Sequence, residues 1–363
     1  MINVAVFSLP IYAEKGRGKN DVDGGGLPVK IRVSAGSASA LGLRYIRSDE
    51  MVTAVHLLVG ADCAFSCSFC PQARTNQDEN KEARLSRVQW PAFEMGTLVD
   101  ALARAYSRNE ILRVCLQVVP GGSHAEQTQA FFAILNERNL DIPVSVNAVI
   151  ASLDDAAYYL DHGAQRIGLA LDGATPALFS KHKGSLPETF SHRLSLLETL
   201  AKRYPNRVAT HLIVGLGETE RDMIFRIDQM KRMGVEVALF ALTPLKGTQL
   251  SQAQPPSMAS YRRVQLARHL ITEQGVDPSN FDFDSTGRLR RIYQFKTTKD
   301  LIRGDPFRTS GCVGCNRPFY NERPGEIPYN YPRALTPEEA SEALYMTDLP
   351  EFMRQVAGGG RLL

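Results

Sequence analysis

Three cysteines stand close together early in the chain, at Cys63, Cys67 and Cys70. The C-x-x-x-C-x-x-C spacing wraps a short loop, so three thiolates can converge on three irons of one cubane cluster. The fourth iron is then left open for chemistry, whereas four-cysteine sites close every iron for electron transfer. Zinc is the main alternative, but it usually takes four ligands, and no further Cys or His follows this loop closely. The spacing therefore predicts a reactive [4Fe–4S] cluster.

The remaining cysteines are Cys115, which stands alone, and the C-x-x-C pair Cys312 and Cys315. A lone cysteine is most often a small buried apolar residue, and such a pair can be half of a zinc site or a redox dithiol. We interpret the three as the thiolates of a second iron–sulfur cluster that has one weaker, non-cysteine ligand. Arg308 or Ser310, just before the pair, is a candidate for that ligand, and the spacing requires neither.

Apolar runs rich in β-branched residues alternate with helix-period segments over most of the chain. This alternation predicts an α/β fold with a parallel sheet and outer helices, and repeated right-handed crossovers curl the sheet towards a complete or partial (β/α) barrel. The predicted strands are Ala54–Val59, Leu112–Val119, Pro143–Val149, Arg166–Leu171, Val208–Val214 and Val235–Leu242. The predicted helices are Gly96–Tyr106, Ala125–Arg138, Leu153–His162, Pro187–Arg203, Thr219–Met233 and Tyr261–Glu273, followed by a hairpin over Phe281–Phe295 and one late helix from Pro337 to about Val356.

Alternation along the strands predicts which side chains point into the barrel. In the second strand Arg113, Cys115 and Gln117 share the inward row, and in the fourth strand Asp172 ends the inward row. The opposite rows are apolar and suit contact with helices. A polar interior on several strands differs from a packed core, so we predict a reaction chamber. The inward register of Cys115 favours its role as a cluster ligand.

Several strand ends carry residues typical of a cofactor site, because barrel enzymes keep their active sites at the carboxyl ends of the strands. Gly121-Gly122 ends the second strand, Asp172 the fourth, and Gly215-Leu216-Gly217-Glu218 the fifth. A single glycine pair is more often just a tight turn. Several such features at corresponding strand ends together indicate a ligand site.

The cysteine loop, with Phe69 directly before its last cysteine, resembles the signature of the radical S-adenosylmethionine (SAM) superfamily. The resemblance implies that SAM occupies the open iron and that an electron from the cluster splits SAM into methionine and a 5′-deoxyadenosyl radical. It also implies that Gly121-Gly122 binds the methionine amino group and that the run from Gly215 through Gly217 to Glu218 lines the nucleoside. Phe69 and Asp172 complete the predicted SAM-binding residues, and Ser123 replaces the acidic residue usual in the family.

Within the superfamily the chain resembles the biotin-synthase-like branch, over about Lys30 to Pro332. Three runs resemble a subunit of the two-component, archaeal-type lipoyl synthases, namely Cys70–Arg74, Leu85–Val88 and Cys312–Tyr331. This resemblance implies sulfur insertion into an octanoyl chain, with a homologous radical SAM partner subunit, an octanoylated lipoyl-carrier protein and an electron donor. It also implies a sulfur-donating auxiliary [4Fe–4S] cluster, and Cys115 resembles a lumenal cluster ligand of biotin synthase.

Other functions stay open at this point. A biotin synthase, or a cofactor-maturation radical SAM enzyme that adds no sulfur, would share the same first cluster. An iron–sulfur electron-transfer or cluster-delivery protein would need no SAM site, so the strand-end glycines disfavour it. The chain lacks the N-terminal three-cysteine motif of single-chain lipoyl synthase, which leaves the two-component type.

The composition sets broad limits on the class of protein. Hydrophobic residues make up 44% and charged residues 22%, which is ordinary for a globular chain. A net charge of +3 does not indicate nucleic acid as a partner. No apolar run reaches the roughly 20 residues of a membrane span, and Met1–Pro10 lacks signal-peptide features, so we expect a cytoplasmic protein. We predict an N-terminal extension over 1–50, a radical SAM barrel over 51–296 and a C-terminal cluster-binding extension over 297–363.

Overall fold

The computed structural model describes residues 29–47, 50–80, 84–186 and 188–358. The first part of the predicted N-terminal extension, including Met1–Pro10, lies outside these ranges, and so does Pro187, the predicted start of a helix. Within the described ranges, every helix is too short or too polar to cross a membrane.

A large sheet forms the centre of the molecule. The strands are β1 Lys30–Val33, β2 Ala54–Val59, β3 Arg84–Leu85, β4 Val88–Gln89, β5 Ala92–Glu94, β6 Arg113–Val118, β7 Val144–Asn147, β8 Arg166–Gly168, β9 Val208–Val214, β10 Glu236–Ala241, β11 Phe281–Phe283 and β12 Leu289–Ile292. Strands β2 and β6 to β10 are parallel, and each pairs with the next one in that series. Strands β1 and β5 extend the sheet beyond β2 in antiparallel pairing. The predicted α/β fold is confirmed, and the described strands form a partial barrel.

Helices follow the parallel strands and cover their outer face. They are α1 Ala35–Ala40, α2 Met95–Ser107, α3 His124–Glu137, α4 Leu153–Asp161, α5 Pro176–Lys183, α6 Phe190–Arg203, α7 Glu220–Arg232, α8 Met258–Thr272, α9 Lys299–Ile302, α10 Pro337–Tyr345 and α11 Pro350–Ala357. The outward row of β6, which includes Val114 and Leu116, is fully buried in the core beneath these helices. Burial of this apolar row is the main force that holds sheet and helices together.

Two predicted helices need correction. The helix expected from Pro187 begins at Phe190, because the Thr189 side chain accepts a hydrogen bond from the His192 N–H and caps it there. The single late helix is wrong, since two helices occupy that region. Pro350 begins the second one, because proline lacks the N–H that a continuous helix would need at that position. The hairpin of β11 and β12 is confirmed.

The predicted division of the chain into three segments stays a prediction. Strand β1 belongs by number to the predicted N-terminal extension, yet it is hydrogen-bonded to β2, with Arg32 opposite Leu58. The Arg32 guanidinium also donates to the Gly60 carbonyl, just before the cysteine loop. This part of the chain therefore packs as an edge of the central sheet.

Residues 310–321, which we call the closing segment, cross the open side of the partial barrel. On one side, Ser310 Oγ accepts from the Leu239 N–H at 2.9 Å, and Asn321 Nδ2 donates to the Ala241 carbonyl at 2.8 Å. On the other side, Asn316 Oδ1 accepts from the N–H of Thr53, just before β2, at 3.0 Å. The closing segment thus connects the last parallel strand to the first.

The stretch that follows the closing segment is anchored by a buried arginine on α8. Arg262 is 0% exposed and donates to the carbonyls of Pro328 and Tyr329 at 2.6 and 2.7 Å. Its guanidinium lies 5.3 Å from the ring centroid of Phe307 and 5.2 Å from that of Tyr331. Planar donors between two rings combine hydrogen bonding with cation–π attraction, so this side chain fixes the stretch in place.

We expect Arg262→Met to destabilise the protein by about 2–3 kcal/mol, because methionine keeps most of the volume but leaves buried carbonyls without donors. The measurement is the free energy of unfolding in urea. Arg290→Met is the matched control, since Arg290 is exposed on β12 and the charge change is the same. Equal unfolding midpoints for the two variants would contradict the anchoring role.

Candidate functional site

The three-cysteine loop begins directly after β2 and is folded tightly. The Cys70 N–H donates to the Cys67 carbonyl at 3.1 Å, so the last two cysteines flank one turn. Between them, the Ser68 N–H donates to the His182 carbonyl at 3.0 Å, and Ser68 Oγ lies 2.7 Å from His182 Nδ1. The loop is therefore held against α5 as well as by its own backbone.

The thiols of this loop influence one another electrostatically. Burial is the main reason that the pKa of Cys67 rises to about 11, while Lys183 lowers it and Cys63 raises it. Burial also raises the pKa of Cys70, and the Cys67 and Cys63 thiols add to that rise. The three thiols therefore lie near one another in a site that disfavours uncompensated negative charge. A bound metal centre supplies the positive charge that lets such thiols ionise.

The donor set of this loop fits an iron–sulfur cluster. Three thiolates on one short loop can bind three separate irons of a four-iron cluster. Within the ranges that the structure describes, no three Cys, His, Asp or Glu side chains meet closely enough to hold one metal ion.

The predicted glycine pair packs directly against the start of the cysteine loop. The Ala61 N–H donates to the Gly121 carbonyl at 3.2 Å, and the Ala64 N–H donates to the Pro120 carbonyl at 3.3 Å. A Cβ on Gly121 would lie 2.3 Å from the Ala61 oxygen, which is far inside van der Waals contact. Gly122 has φ +54°, a conformation that suits glycine. Glycine here allows the end of β6 and the loop to touch.

Asp172, at the end of the fourth parallel strand, forms a buried ion pair. Lys183 Nζ donates to Asp172 Oδ2 and to the Ala170 carbonyl, both at 2.6 Å. Asp172 itself has φ +60°, so the chain turns sharply at this point. The pair fixes a carboxylate beside the cysteine loop, because Asp172 also acts on the pKa of Cys67. Its predicted contact with SAM stays a prediction.

The turn after β9 is shaped by its own acidic residue. Glu218 accepts hydrogen bonds from the N–H groups of Gly215 and Leu216 at 2.6 and 3.0 Å. Gly215 and Gly217 have φ +105° and +118°, which only glycine adopts easily. The Leu216 carbonyl in turn lies 3.0 Å from His182 Nε2. The carboxylate thus holds the turn, and the predicted SAM contacts of this run stay predictions.

His182 is a site residue that the sequence did not predict. One ring nitrogen faces Ser68 in the cysteine loop, and the other faces the Leu216 carbonyl in the turn after β9. It therefore joins two segments that were predicted separately as parts of one site. His182 lies at the end of α5. That helix was not predicted, so the sequence did not point to this residue.

The other three cysteines come together inside the barrel. Burial raises the pKa of Cys115, and the Cys315 and Cys312 thiols add to that rise. Cys115 Sγ accepts hydrogen bonds from Gln117 Nε2 at 3.0 Å and Asn147 Nδ2 at 3.2 Å. Its inward register is confirmed, and a residue from β6 thus meets the C-x-x-C pair of the closing segment. The donor set of three thiols again fits an iron–sulfur cluster.

Neither of the two predicted candidates for the non-cysteine ligand, Arg308 and Ser310, has a side chain that is free to contact these thiols. Arg308 is exposed, and its Nη1 lies 3.8 Å from Asp305. Ser310 Oγ accepts the Leu239 N–H, as described above. Besides the amides of Gln117 and Asn147, the groups that approach the thiols are His56, Arg317 and Ser145, and none of these three was predicted as a ligand. His56 could have been noticed as an inward-facing polar residue in the middle of an apolar strand.

One cavity of about 200 Å³ connects the two thiol groups. Phe69 and Cys70 line it near the carboxyl ends of the strands, and Cys115 and Gln117 line it deeper in the barrel. Asp172 also lines it, so the predicted chamber residues share one space. A wider cavity of about 570 Å³ lies beside it and shares Pro71, Ser86 and Asn321 with it.

The histidines that line the inner cavity are neutral. Burial lowers the pKa of His56 to about 3, and the positive charge of Arg317 contributes. Burial also lowers the pKa of His211 to about 4, although the Asp172 carboxylate acts in the opposite direction. The cavity therefore offers imidazole nitrogen lone pairs rather than imidazolium charges at physiological pH.

We expect Gly121→Ala to disturb the cysteine loop, because the added Cβ would force apart two backbone segments at a cost of about 2–3 kcal/mol. Iron bound after anaerobic reconstitution and the thermal unfolding midpoint should both fall. Gly96→Ala is the control, since a Cβ added there would meet no atom within 4 Å and alanine favours its helix. If both variants bind equal iron and unfold at the same temperature, the glycine contact is unimportant for the loop.

A comparison with known protein families agrees with this geometry. Residues 57–229, which contain the cysteine loop and the strand ends described above, match the family model of the radical SAM superfamily. No curated protein matches the sequence. Methylornithine synthase (PylB) has a similar solved structure at 16% identity and TM-score 0.45, over 64% of this chain and 68% of that one.

The FeFe-hydrogenase maturase HydG from Carboxydothermus hydrogenoformans is similar at 19% identity and TM-score 0.46. The match covers 66% of this chain and 56% of the HydG chain, so this chain spans little more than half of HydG. Residues 57–229 thus carry a radical SAM domain, and the enzymes of that superfamily use a [4Fe–4S] cluster with SAM.

Proposed function

We propose that this radical SAM enzyme inserts sulfur into an octanoyl chain carried on a protein lysine, as a subunit of a two-component lipoyl synthase. The observation that supports this most is the cavity lined by Cys70 at one end and Cys115 at the other. Sulfur insertion needs a radical and a sulfur source on either side of one substrate carbon. The second group of thiols inside the barrel could hold that sulfur source.

In this proposal Cys63, Cys67 and Cys70 hold the cluster that binds SAM. Phe69, Gly121-Gly122 and Asp172, with the run from Gly215 to Glu218, surround SAM at the carboxyl ends of the strands. When bound, the cluster and SAM supply a 5′-deoxyadenosyl radical, which can take hydrogen from an unactivated carbon. The ion pair of Lys183 with Asp172 keeps the carboxylate in a fixed position beside the loop.

Cys115, Cys312 and Cys315 hold the auxiliary cluster that supplies the sulfur. In the net reaction, a hydrogen atom leaves the octanoyl carbon for 5′-deoxyadenosine, a C–S bond takes its place, and one electron per sulfur passes to the cluster iron. The carbon radical is short-lived, so the chain must hold carbon and sulfur source close together. A cavity of about 200 Å³ between the two thiol groups limits that separation.

The walls of the cavity suit an acyl chain. Ile213, Phe240 and Leu245 provide apolar surface, while the two charged groups of the lining, Asp172 and Arg317, are held by an ion pair with Lys183 and by stacking on Phe240. An extended hydrocarbon chain gains roughly 0.8 kcal/mol for each methylene that it buries. The walls also exclude water from a carbon radical that would otherwise react unproductively.

The wider cavity supports entry of a carrier-bound lysine from the strand ends. Its charged lining is mostly basic, consisting of Arg84, Arg87, Lys246 and Arg323 with Asp78 and Glu326. Asp78 is paired with Arg84 at 3.2 Å, which leaves an excess of positive charge at the entrance. Such an entrance suits the acidic face of a carrier domain. A homologous radical SAM subunit and an electron donor complete the proposed partners.

We predict that the two thiol groups act separately. Reconstituted protein should bind about eight irons as two [4Fe–4S] clusters. The Cys312→Ala/Cys315→Ala variant should bind half as much iron and still convert SAM to 5′-deoxyadenosine, because only the auxiliary site is removed. The matched Cys67→Ala/Cys70→Ala variant should lose SAM cleavage and also about half of the iron. The measurements are iron analysis and anaerobic turnover of SAM with a reductant.

Two results would contradict this assignment. Unaltered protein with only about four irons would reject the auxiliary cluster, while near-normal SAM cleavage by Cys67→Ala/Cys70→Ala would reject the first site.

We predict that sulfur is gained by an octanoyl-lysine peptide or carrier domain after anaerobic turnover with SAM and a reductant. Mass spectrometry should show one added sulfur with this chain alone, or two with a homologous subunit present. The Cys312→Ala/Cys315→Ala variant is the control, since it should form 5′-deoxyadenosine without adding sulfur. Dethiobiotin serves as the competing substrate.

The proposal that the substrate is an octanoyl chain is contradicted if dethiobiotin gains sulfur and the octanoyl peptide does not. Sulfur insertion itself fails if 5′-deoxyadenosine accumulates and neither substrate gains sulfur.

A further inference from the structure

One of the auxiliary thiols, Cys115, lies on a strand whose neighbours on both sides carry polar side chains at the same level. In the parallel ladder, Cys115 of β6 is opposite His56 of β2 on one side and opposite Ser145 of β7 on the other. The closing segment adds Cys312, Cys315 and, two residues later, Arg317. The amides of Gln117 and Asn147 turn their N–H groups to Cys115 Sγ, so the other groups in position to complete a cluster held by three thiolates are an imidazole, a hydroxyl and a guanidinium.

His56 has the geometry and chemistry of a ligand. Its Nε2 lies 3.9 Å from Cys315 Sγ, and its side chain is buried. The ring is held in place by Tyr320, whose ring centroid lies 5.1 Å away. The backbone is fixed as well, since the His56 N–H donates to Ser37 Oγ at 2.9 Å and its carbonyl accepts from the Ser34 N–H at 3.0 Å. An imidazole nitrogen aimed at a thiol group and supported in this way can bind iron with little rearrangement.

Arg317 approaches the same sulfur but has different chemistry. Its Nη1 lies 3.8 Å from Cys315 Sγ, and its Nη2 donates to the Ser310 carbonyl at 3.1 Å. Its guanidinium also stacks on Phe240 at 4.2 Å from the ring centroid. A guanidinium has five donors and no acceptor and would have to lose its proton to bind iron, so Arg317 is better suited to donate a hydrogen bond to a thiolate. Such a bond to sulfur is one of the factors that set the potential of a cluster.

Ser145 is the nearest rival, since its Oγ lies 3.3 Å from Cys312 Sγ. That oxygen already accepts a hydrogen bond from Arg113 Nη2 at 2.8 Å, and a hydroxyl must lose its proton to bind iron strongly. His56 lines the cavity that reaches Cys70, whereas the lining of that cavity does not include Ser145. If the non-thiolate ligand faces the cavity, the iron that it binds is the one that a substrate carbon can reach most easily.

We infer that His56 is the fourth, non-cysteine ligand of the auxiliary cluster, and that Arg317 donates a hydrogen bond to the sulfur of Cys315. The inference rests on the proposed function, because it requires that Cys115, Cys312 and Cys315 hold a cluster. This assignment replaces the candidates Arg308 and Ser310. His56 lies far earlier in the chain, 259 positions before Cys315.

The test uses the full-length chain with Cys63, Cys67 and Cys70 changed to alanine, so that only the auxiliary site can bind a cluster. The protein is labelled with ¹⁵N-histidine, reconstituted with iron and sulfide, reduced and examined by pulsed electron paramagnetic resonance. A nitrogen coupling should change from the ¹⁴N to the ¹⁵N pattern on labelling. In His56→Cys the iron should be retained, because a thiolate replaces the imidazole, and the nitrogen coupling should disappear. Ser145→Ala should retain that coupling.

The possible failures are distinct. No iron in the triple alanine variant overturns the auxiliary cluster and, with it, the proposed sulfur donation. Bound cluster without any histidine coupling overturns only the assignment of His56. A coupling that follows ¹⁵N-arginine instead, or one lost in Ser145→Ala and kept in His56→Cys, assigns the ligand elsewhere. Because labelling leaves the chain unaltered, the detection of a histidine ligand does not depend on whether the His56→Cys variant folds, and that variant then identifies the histidine as His56.

Discussion

The parallel strands that the structure describes form an open barrel, and the last of them, β10, must therefore satisfy a free edge. Three of its backbone groups are bonded by side chains from outside the sheet. Arg268 Nε donates to the Val237 carbonyl at 3.1 Å, Ser310 Oγ accepts the Leu239 N–H, and Asn321 Nδ2 donates to the Ala241 carbonyl. Unpaired buried backbone groups are costly, so this edge requires a cover. Two of the three partners belong to the closing segment, which carries the C-x-x-C pair.

The cavity inside the barrel exists because the closing segment covers this edge. Its lining combines polar groups with apolar side chains such as Ile213, Phe240 and Leu245, and the closing segment narrows it to a small cavity between two groups of thiols. Buried ion pairs maintain the wall on the α5 and α6 side, where Lys183 binds Asp172, and Arg193 binds Glu188 and the Ala170 carbonyl. Since a buried charge without its partner is strongly destabilising, these pairs hold the helices and the end of the fourth parallel strand in one arrangement. The same enclosure that completes the fold thus makes a chamber suited to radical chemistry.

Local rules predicted the parallel strands and their inward rows, because alternation and β-branched runs depend only on neighbouring residues. They also predicted that Cys63, Cys67 and Cys70 share one loop. The grouping of Cys115 with Cys312 and Cys315 was reached through inward register and cysteine number, and the two thiol groups do assemble separately. What local rules could not predict is long-range: the short strand β1 that joins the sheet edge, and the ring of His182 that joins two strand ends. The proximity of His56 to the closing segment also arises from pairing across the barrel.

The hydrogen bond between the Thr53 N–H and Asn316 Oδ1 joins residues 263 positions apart. A contact of this sequence separation forms late, because the entropy of closing so long a loop must be overcome after the intervening elements have ordered. During synthesis the sheet from β2 to β10 is complete well before the closing segment leaves the ribosome. The first thiol loop is therefore translated and can be shaped while the barrel is still open at its side. The second group of thiols assembles only when nearly the whole chain is present, so the order of translation also orders the two sites.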